Sequence, residues 1–198
     1  MTDDYVLDEA TVRDFVATVR RSIERAGSPE EACEAVRPSF AALLADADWL
    51  PAEYRREAPE SGMGSGIGQW LLYRSGDRSL SLFALVVPPG TATPVHDHLA
   101  WGLVGLYQGE QEEEVFARPN GKLDLVARRA LAPGDFYVLV PPRDDIHRVR
   151  TTSAEASVSI HLLTNDTGCV WRHSYDPATG AESPFRSGYV NVPCEDGG

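Results

Sequence analysis

The sequence lacks the features that mark membrane proteins and nucleic-acid-binding proteins. Its 198 residues contain 18 Lys and Arg against 30 Asp and Glu, which gives a formal net charge of −12 at pH 7. Nucleic acid is not expected as a partner, because phosphate contacts require clustered cations. No apolar run approaches the roughly 18 residues that a membrane helix needs, so membrane association is not expected either. The acidic N-terminal segment, Met-Thr-Asp-Asp-Tyr, is not typical of a secretory signal.

Cysteine is also scarce, with only Cys33, Cys169 and Cys194 in the chain. Their wide spacing matches no zinc ribbon and no redox pair. We therefore expect unpaired structural or surface thiols and a reducing, cytoplasmic location. The length and the 42% of hydrophobic residues predict one structural domain with a full core, as a monomer or a small homo-oligomer.

The first part of the chain has a helical pattern. Apolar residues recur at steps of three and four: Val12, Phe15, Val16, Val19 and Ile23. Asp8 is the expected N-cap of this helix, and Gly27 its expected stop. A second helix is predicted from Ser28 to about residue 45, with Ser28 and Glu31 forming a capping box and Pro38 bending or splitting it. Residues 51–57 are predicted to form a further short helix.

From residue 67 onward the pattern changes to short β-rich runs separated by Gly and Pro turns. The predicted strands are 69–74, 80–87, 101–107, 113–118, 123–130, 136–140, 148–152, 157–163 and 169–175. Many short strands at such spacing predict a mainly β sandwich or barrel. We expect a helical segment, 1–58, packed on the outside of a barrel, 59–198, without internal repeats.

Three histidines carry the main functional signal. His96 and His98 follow a Gly and Pro turn, and residues two apart on a strand point to the same face. His147 begins another predicted strand about fifty residues later. Three neutral imidazoles that converge on one cation leave open positions for substrate and oxygen, which indicates a metalloenzyme that uses oxygen. His173 has no such partner, and we interpret it as a non-ligand.

The spacing of Gly90, His96-x-His98 and Gly109 resembles the first motif of the cupin superfamily. Cupins usually carry a glutamate ligand shortly after the second histidine, whereas residues 99–103 read Leu-Ala-Trp-Gly-Leu. Histidines without this glutamate resemble the thiol dioxygenases of the cysteine dioxygenase family. The likeness includes Trp101-Gly102-Leu103, His147-Arg148-Val149 and Ser159-Ile160-His161, and covers most of residues 67–192. It implies a cupin fold, that is, a double-stranded β-helix or jelly-roll barrel.

Within that family the chain resembles the bacterial 3-mercaptopropionate dioxygenase branch. Gly102 stands where the mammalian type has a cross-linking cysteine. The resemblance implies Fe(II) as cofactor, a small thiol carboxylate and O2 as substrates, and a sulfinic acid as product. It implies these site residues: metal ligands His96, His98 and His147; a catalytic relay of Ser159 and His161; a carboxylate-binding Arg172; and a substrate-side Gln69.

One position departs from the family pattern. The family has a Ser-x-His-x-Tyr run, but here Leu163 replaces the tyrosine, and leucine cannot donate a hydrogen bond. Three interpretations of this change remain open. Another hydroxyl beside the substrate, from Tyr189 or Tyr175, replaces the missing one; or the enzyme is slower or takes a bulkier, less polar thiol. In the third, the chemistry has diverged. The alternatives are a three-histidine cupin oxygenase of another small or biosynthetic substrate and a non-catalytic metal-binding cupin. Three histidines also accept nickel, copper or zinc.

Overall fold

Two helices precede two antiparallel sheets of six strands each in the computed structural model, which describes residues 2–59 and 61–195. The helices are α1 (Ala10–Arg25) and α2 (Pro29–Ala45). The strands are β1 (Asp4–Tyr5), β2 (Gly68–Arg74), β3 (Ser81–Val87), β4 (Val95–His96), β5 (Gly102–Gln108), β6 (Gln111–Ala117), β7 (Asp124–Leu131), β8 (Phe136–Leu139), β9 (Ile146–Thr151), β10 (Ser157–Leu163), β11 (Arg172–Tyr175) and β12 (Glu182–Phe185). No helix in the described ranges is long and apolar enough to cross a membrane.

The two helices form where the sequence predicts them, with differences at their ends. α1 begins after Glu9, and no side chain caps it; the predicted cap, Asp8, instead forms an ion pair with Arg13. In α2 the Ser28 hydroxyl accepts the Glu31 N–H at 3.2 Å, as predicted. Pro38 does not split α2, because it lies on the solvent side, where water can satisfy the carbonyl that loses its partner.

The sheets have the orders β1-β2-β3-β10-β5-β8 and β12-β11-β4-β9-β6-β7. The helices cover one face of the first sheet. The core between them includes apolar residues from α1, α2, β3, β5 and β10: Val16, Phe40, Leu82, Leu103 and Ile160. The opposite face of this sheet carries a smaller apolar cluster, which we call the inner wall: Ile67, Phe83, Leu85, Val87, Ala100 and Leu163. The mainly β architecture with outer helices is therefore confirmed.

The nine predicted strands all form; β10 has the predicted bounds, 157–163, and the others have shifted ends. The 169–175 prediction is the largest miss, since β11 covers only Arg172–Tyr175. Two further strands, β1 and β12, were not predicted, because segments of two and four residues are too short to show alternation. The strand predicted to carry His96 and His98 forms only over Val95–His96, as β4. The short helix predicted at 51–57 is a 3-10 helix, Ala52–Arg55.

The prediction that all cysteines are unpaired is wrong for two of them. Cys169 and Cys194 form a disulfide across 25 residues of sequence. The chain returns to this place because Gly188 N–H donates to the Gly168 carbonyl at 2.8 Å, a contact that spacing alone does not reveal. Cys33 is free and buried, and burial raises the pKa of its thiol to about 11. A cytoplasmic location stays a prediction, although disulfides are rare there.

Candidate metal centre

His96, His98 and His147, which we call the triad, lie together in the interior. Their ring centroids are 4.9 Å (His96–His98), 4.8 Å (His96–His147) and 4.8 Å (His98–His147) apart. One nitrogen from each ring lies within 4.8 Å of the others, and all three residues are buried. This nearly equilateral arrangement is suited to binding one cation on three sides.

Strand pairing and a loop position the triad by different means. His96 is the register partner of His147 between β4 and β9. β4 ends at His96, so His98 lies in the following loop rather than on the predicted strand. The carboxylate of Asp145 fixes this loop, since it accepts the N–H groups of His98 at 2.8 Å and of Leu99 at 3.3 Å.

The hydrogen bonds of the rings leave nitrogen lone pairs free for a metal. His96 Nδ1 lies 2.9 Å from the Pro94 carbonyl, and His147 Nδ1 lies 2.8 Å from a Glu113 oxygen. Both acceptors require Nδ1–H, so Nε2 carries the lone pair in each ring. His147 Nε2 is buried without a hydrogen-bond partner among the described residues. These neutral donors fit a divalent transition metal such as iron(II).

Electrostatics favour the neutral rings that a metal requires. Burial lowers the pKa of both His96 and His98 well below the ordinary value, and His147 and Arg172 lower both further. Protonation of either ring would put an unsolvated charge beside the cationic Arg172. The rings are therefore uncharged at neutral pH and available as ligands.

His161 and Ser159 lie beside the triad and are separate from it. The His161 ring centroid is 6.4 Å from that of His98, and its Nε2 lies 3.0 Å from Ser159 Oγ. The ring stacks on Phe83 at 4.7 Å, and burial lowers its pKa to about 3. His161 Nδ1 is buried with no hydrogen-bond partner in residues 2–59 and 61–195. An orphaned ring nitrogen next to the triad is available to a ligand.

Leu163 belongs to the inner wall and is 0% exposed. It is the register partner of Gly102 between β10 and β5. A Cβ atom at Gly102 would lie 1.9 Å from the Leu162 carbonyl oxygen, so no side chain fits there while the strands keep this spacing. The positions that correspond to the family's cysteine–tyrosine cross-link thus face each other without either reactive side chain.

The two tyrosines considered as substitutes for the missing hydroxyl are engaged elsewhere. Tyr175 donates to Asp97 Oδ2 at 2.9 Å. The Tyr189 hydroxyl accepts the Gly168 N–H at 3.0 Å, while its ring packs on the inner wall. These bonds direct neither hydroxyl to the triad. They therefore favour a slower enzyme, a less polar thiol or diverged chemistry over replacement of the missing tyrosine hydroxyl.

Arg172 is buried, with 2% of its surface exposed, and contacts the loop between the ligands. Its Nη1 donates to the Asp97 carbonyl at 2.8 Å, its Nη2 to Ser187 Oγ at 2.9 Å, and its Nε to the Thr167 carbonyl at 3.4 Å. Burial lowers the pKa of the guanidinium to about 10, so it stays charged at neutral pH. The sequence places this cation correctly near the triad but does not reveal how firmly the protein holds it.

Gln69 has a buried side-chain nitrogen that lacks a hydrogen-bond partner within the described part of the chain. It is the partner of Leu85, which is in turn the partner of Ser159, so all three face the same side of the sheet. Gln69 also lines a cavity of about 640 Å³ together with Ser187 and Tyr189. Ser187 in the wall of this cavity also accepts a hydrogen bond from Arg172, whereas no triad residue is among those that line the cavity.

His173 lies outside the triad, in agreement with its interpretation as a non-ligand. Its Nδ1 is 2.7 Å from Asp97 Oδ2.

Two residues beside the triad, Asp145 and Glu113, were not predicted from the sequence. Asp145 lies two residues before His147 in the sequence. Glu113 lies two residues before Val115 on β6, so both side chains point inward. An acidic residue at an inward position of a buried strand is the signal that would have identified Glu113.

Comparison with known proteins identifies the family. The family model "Cysteine dioxygenase type I" matches residues 45–174. Solved structures with a similar fold include a cysteine peptidase from Thevetia peruviana latex, Peruvianin-I (21% identity, 44% of this chain and 52% of that chain, TM-score 0.38). A second is a cupin 2 domain-containing protein from Halorhodospira halophila (18% identity, 62% of this chain and 70% of that chain, TM-score 0.42). A third is an uncharacterized conserved protein with a double-stranded β-helix domain from Klebsiella pneumoniae (14% identity, 67% of this chain and 91% of that chain, TM-score 0.42).

The chain spans about half the length of Peruvianin-I. The family match covers about two thirds of the chain and includes the whole triad. The two six-stranded antiparallel sheets agree with the predicted mainly β architecture. The chain belongs to the cysteine dioxygenase type I family.

Proposed function

We propose that the protein is a non-haem iron(II) thiol dioxygenase that converts a small thiol carboxylate, similar to 3-mercaptopropionate or cysteine, to a sulfinic acid. The observation that carries the proposal is the buried triad of histidines in a member of this family. Dioxygen and the thiol are the only reactants, because both oxygen atoms are added to sulfur.

The charge of the ligand set supports a thiolate substrate. Three neutral histidines leave the double positive charge of a divalent ion uncompensated, and Glu113 is separated from that ion by a histidine ring. Iron(II) bound here would supply adjacent coordination positions for a thiolate and dioxygen and so hold the reacting atoms together. An anionic thiolate is favoured over a neutral ligand at such a centre.

Arg172 and Gln69 support a carboxylate on the substrate. A guanidinium has five N–H groups, and three of those of Arg172 are used within the protein, which leaves two for a ligand. The partnerless amide of Gln69 adds a neutral donor. A neutral donor in the cavity wall and a charged donor bound to Ser187 of the same wall match the oxygens of a carboxylate.

His161 and Ser159 are proposed to act on the thiol side of the substrate. One ring nitrogen of His161 forms a hydrogen bond with the Ser159 hydroxyl and the other has no partner among the described residues, so the neutral ring can make one hydrogen bond to a ligand near the triad. Leu163 contributes only apolar surface beside it. This specific feature favours one alternative, a diverged three-histidine oxygenase that acts on a less polar or biosynthetic substrate.

Oxygen uptake by the iron-loaded protein tests the proposal. We expect consumption of one O2 per thiol with 3-mercaptopropionate or cysteine, and a sulfinate product detected by NMR. The same panel should include thiols that lack a carboxylate, which we expect to react more slowly. If the protein binds one iron but consumes no oxygen with any thiol, the dioxygenase proposal is wrong.

A further inference from the structure

Glu113 is the one fully buried carboxylate that contacts the triad in the described part of the chain, and the sequence reasoning did not assign it a role. It lies on β6, next to β9, where Val115 is the partner of His147 and Glu113 is the partner of Val149. Residues two apart on a strand share a face, so Glu113 and His147 both point inward. Its side chain is 0% exposed.

Three groups hold the Glu113 carboxylate in place. Its Oε1 accepts Nδ1–H of His147 at 2.8 Å, and its Oε2 accepts Nη1–H of Arg129 at 3.2 Å. The Tyr137 hydroxyl lies 3.3 Å from the same His147 nitrogen and forms a hydrogen bond with the carboxylate. Arg129 is itself anchored by Asp144 at 3.0 Å. A buried charge is tolerated because it is paired and hydrogen-bonded on several sides.

The other two histidines have weaker partners. His96 uses the neutral carbonyl of Pro94. His98 Nδ1 lies 3.4 Å from Asp145 Oδ1, with no hydrogen bond, because the Asp145 oxygens accept backbone N–H groups. Of the three triad rings, His147 is therefore the one that donates to a carboxylate.

We propose that Glu113 is a positioning residue of the metal centre, which fixes the tautomer and orientation of His147 and places a buried negative charge one hydrogen bond behind it. This inference rests on the proposed function, since it requires a metal at the triad. A carboxylate acceptor makes the opposite ring nitrogen a stronger donor to the metal. The Glu113 carboxylate, bound to the ligand His147, thereby supplies part of the negative charge that a glutamate ligand after His98 would have contributed.

The Glu113→Gln variant tests this role, with Glu114→Gln as its matched control. Glu114 is the next residue of β6 and points to the other face, where it pairs with Arg128 and Arg148. We expect Glu113→Gln to weaken Fe(II) binding about 10- to 100-fold in a chelator competition. We also expect a more positive reduction potential of the bound iron, because the ferric state loses a stabilising anion. Glu114→Gln should match the wild type in both measurements.

A double variant keeps the test decisive if Glu113→Gln fails to fold, since that substitution leaves Arg129 without one of its anions. Glu113→Gln with Arg129→Met removes both charges together, and its metal-free unfolding midpoint is measured first. We expect the same weakened iron binding and the same positive shift. Wild-type affinity and potential in the folded variant would overturn the role of Glu113. A wild-type protein that binds no metal would overturn the proposed function as well.

Discussion

His96 and His147 are direct register partners of β4 and β9, so the pairing of two backbones sets the separation of two triad rings. β4 has only two residues, Val95 and His96. The third ring, His98, depends on the loop that Asp145 fixes through two backbone N–H groups. The centre thus combines one pair set by strand register with one ring whose loop is held by side chains, the Asp145 carboxylate and the Asn165 amide, which donates to the His98 carbonyl at 2.9 Å.

We predict that His147→Ala abolishes stoichiometric iron binding, because two imidazoles cannot hold the ion against solvent as three can. Iron content after anaerobic reconstitution measures the effect. His173→Gln is the control, since His173 lies outside the triad and pairs with Asp97. Full iron content in His147→Ala would remove this residue from the ligand set.

We predict that Gln69→Leu leaves the protein as stable as the wild type or more stable, while it raises KM for thiol carboxylates. The Gln69 nitrogen is buried without a partner in the described residues, and burying an unpaired polar group costs about 1–3 kcal/mol. Leucine removes this cost and also removes the donor to the substrate. Thermal unfolding and steady-state kinetics provide the two measurements. An unchanged KM would exclude Gln69 from substrate binding.

We predict that the Cys169–Cys194 disulfide stabilises the closed C-terminal segment, 187–194. This segment contacts β2 through Val190 N–H, which donates to the Gln69 carbonyl at 2.8 Å, and through Asn191, whose amide binds both backbone groups of Leu71. The disulfide closes a loop of 25 residues, and closing a loop of this length contributes about 3 kcal/mol to the free energy of unfolding in a chain-entropy estimate.

Urea unfolding with and without reductant measures this contribution. The wild type should lose stability when reduced, and Cys194→Ser should show the reduced stability under both conditions. Cys33→Ala is the control and should keep the response to reductant, since Cys33 is not in the disulfide. No response of the wild type to reductant would contradict the prediction.

We predict a loss of stability at alkaline pH that depends on Cys33. Burial raises the pKa of this thiol in the folded protein from 9.0 to about 11. The protonated thiol therefore favours the folded state fully below pH 9, and this contribution is lost as the pH rises from 9 toward 11. Chemical unfolding across this range should show a shallower loss in Cys33→Ala than in the wild type. Identical curves would mean that the thiol titrates normally.

The sequence predicts those parts of the molecule that depend on local pattern. A continuous apolar run identifies β3, alternation identifies β10, and the spacing of His96 and His98 indicates the triad. The disulfide could not be predicted, because it depends on how residues 25 apart meet after folding. The pairing of Glu113 with His147 also required the register of β6 and β9, which no local pattern contains.

Arg172 shows that the sequence predicts the place of a functional residue but not its contacts. Its resemblance to a carboxylate-binding arginine places a cation near the triad, and the structure agrees with that location. Its bonds to Asp97 and Ser187 depend on contacts 75 and 15 residues away in sequence. These contacts decide how much of the guanidinium remains for a substrate, and only the folded chain reveals them.

The pairing of Gly102 with Leu163 has an evolutionary consequence. A cysteine at position 102 would collide with the Leu162 carbonyl, so β10 must first move away from β5. A tyrosine at position 163 alone would have no cysteine to react with. A lineage that starts from this chain therefore reaches the mammalian type of cross-link only through several changes, and the change of backbone spacing must come before the gain of the cysteine.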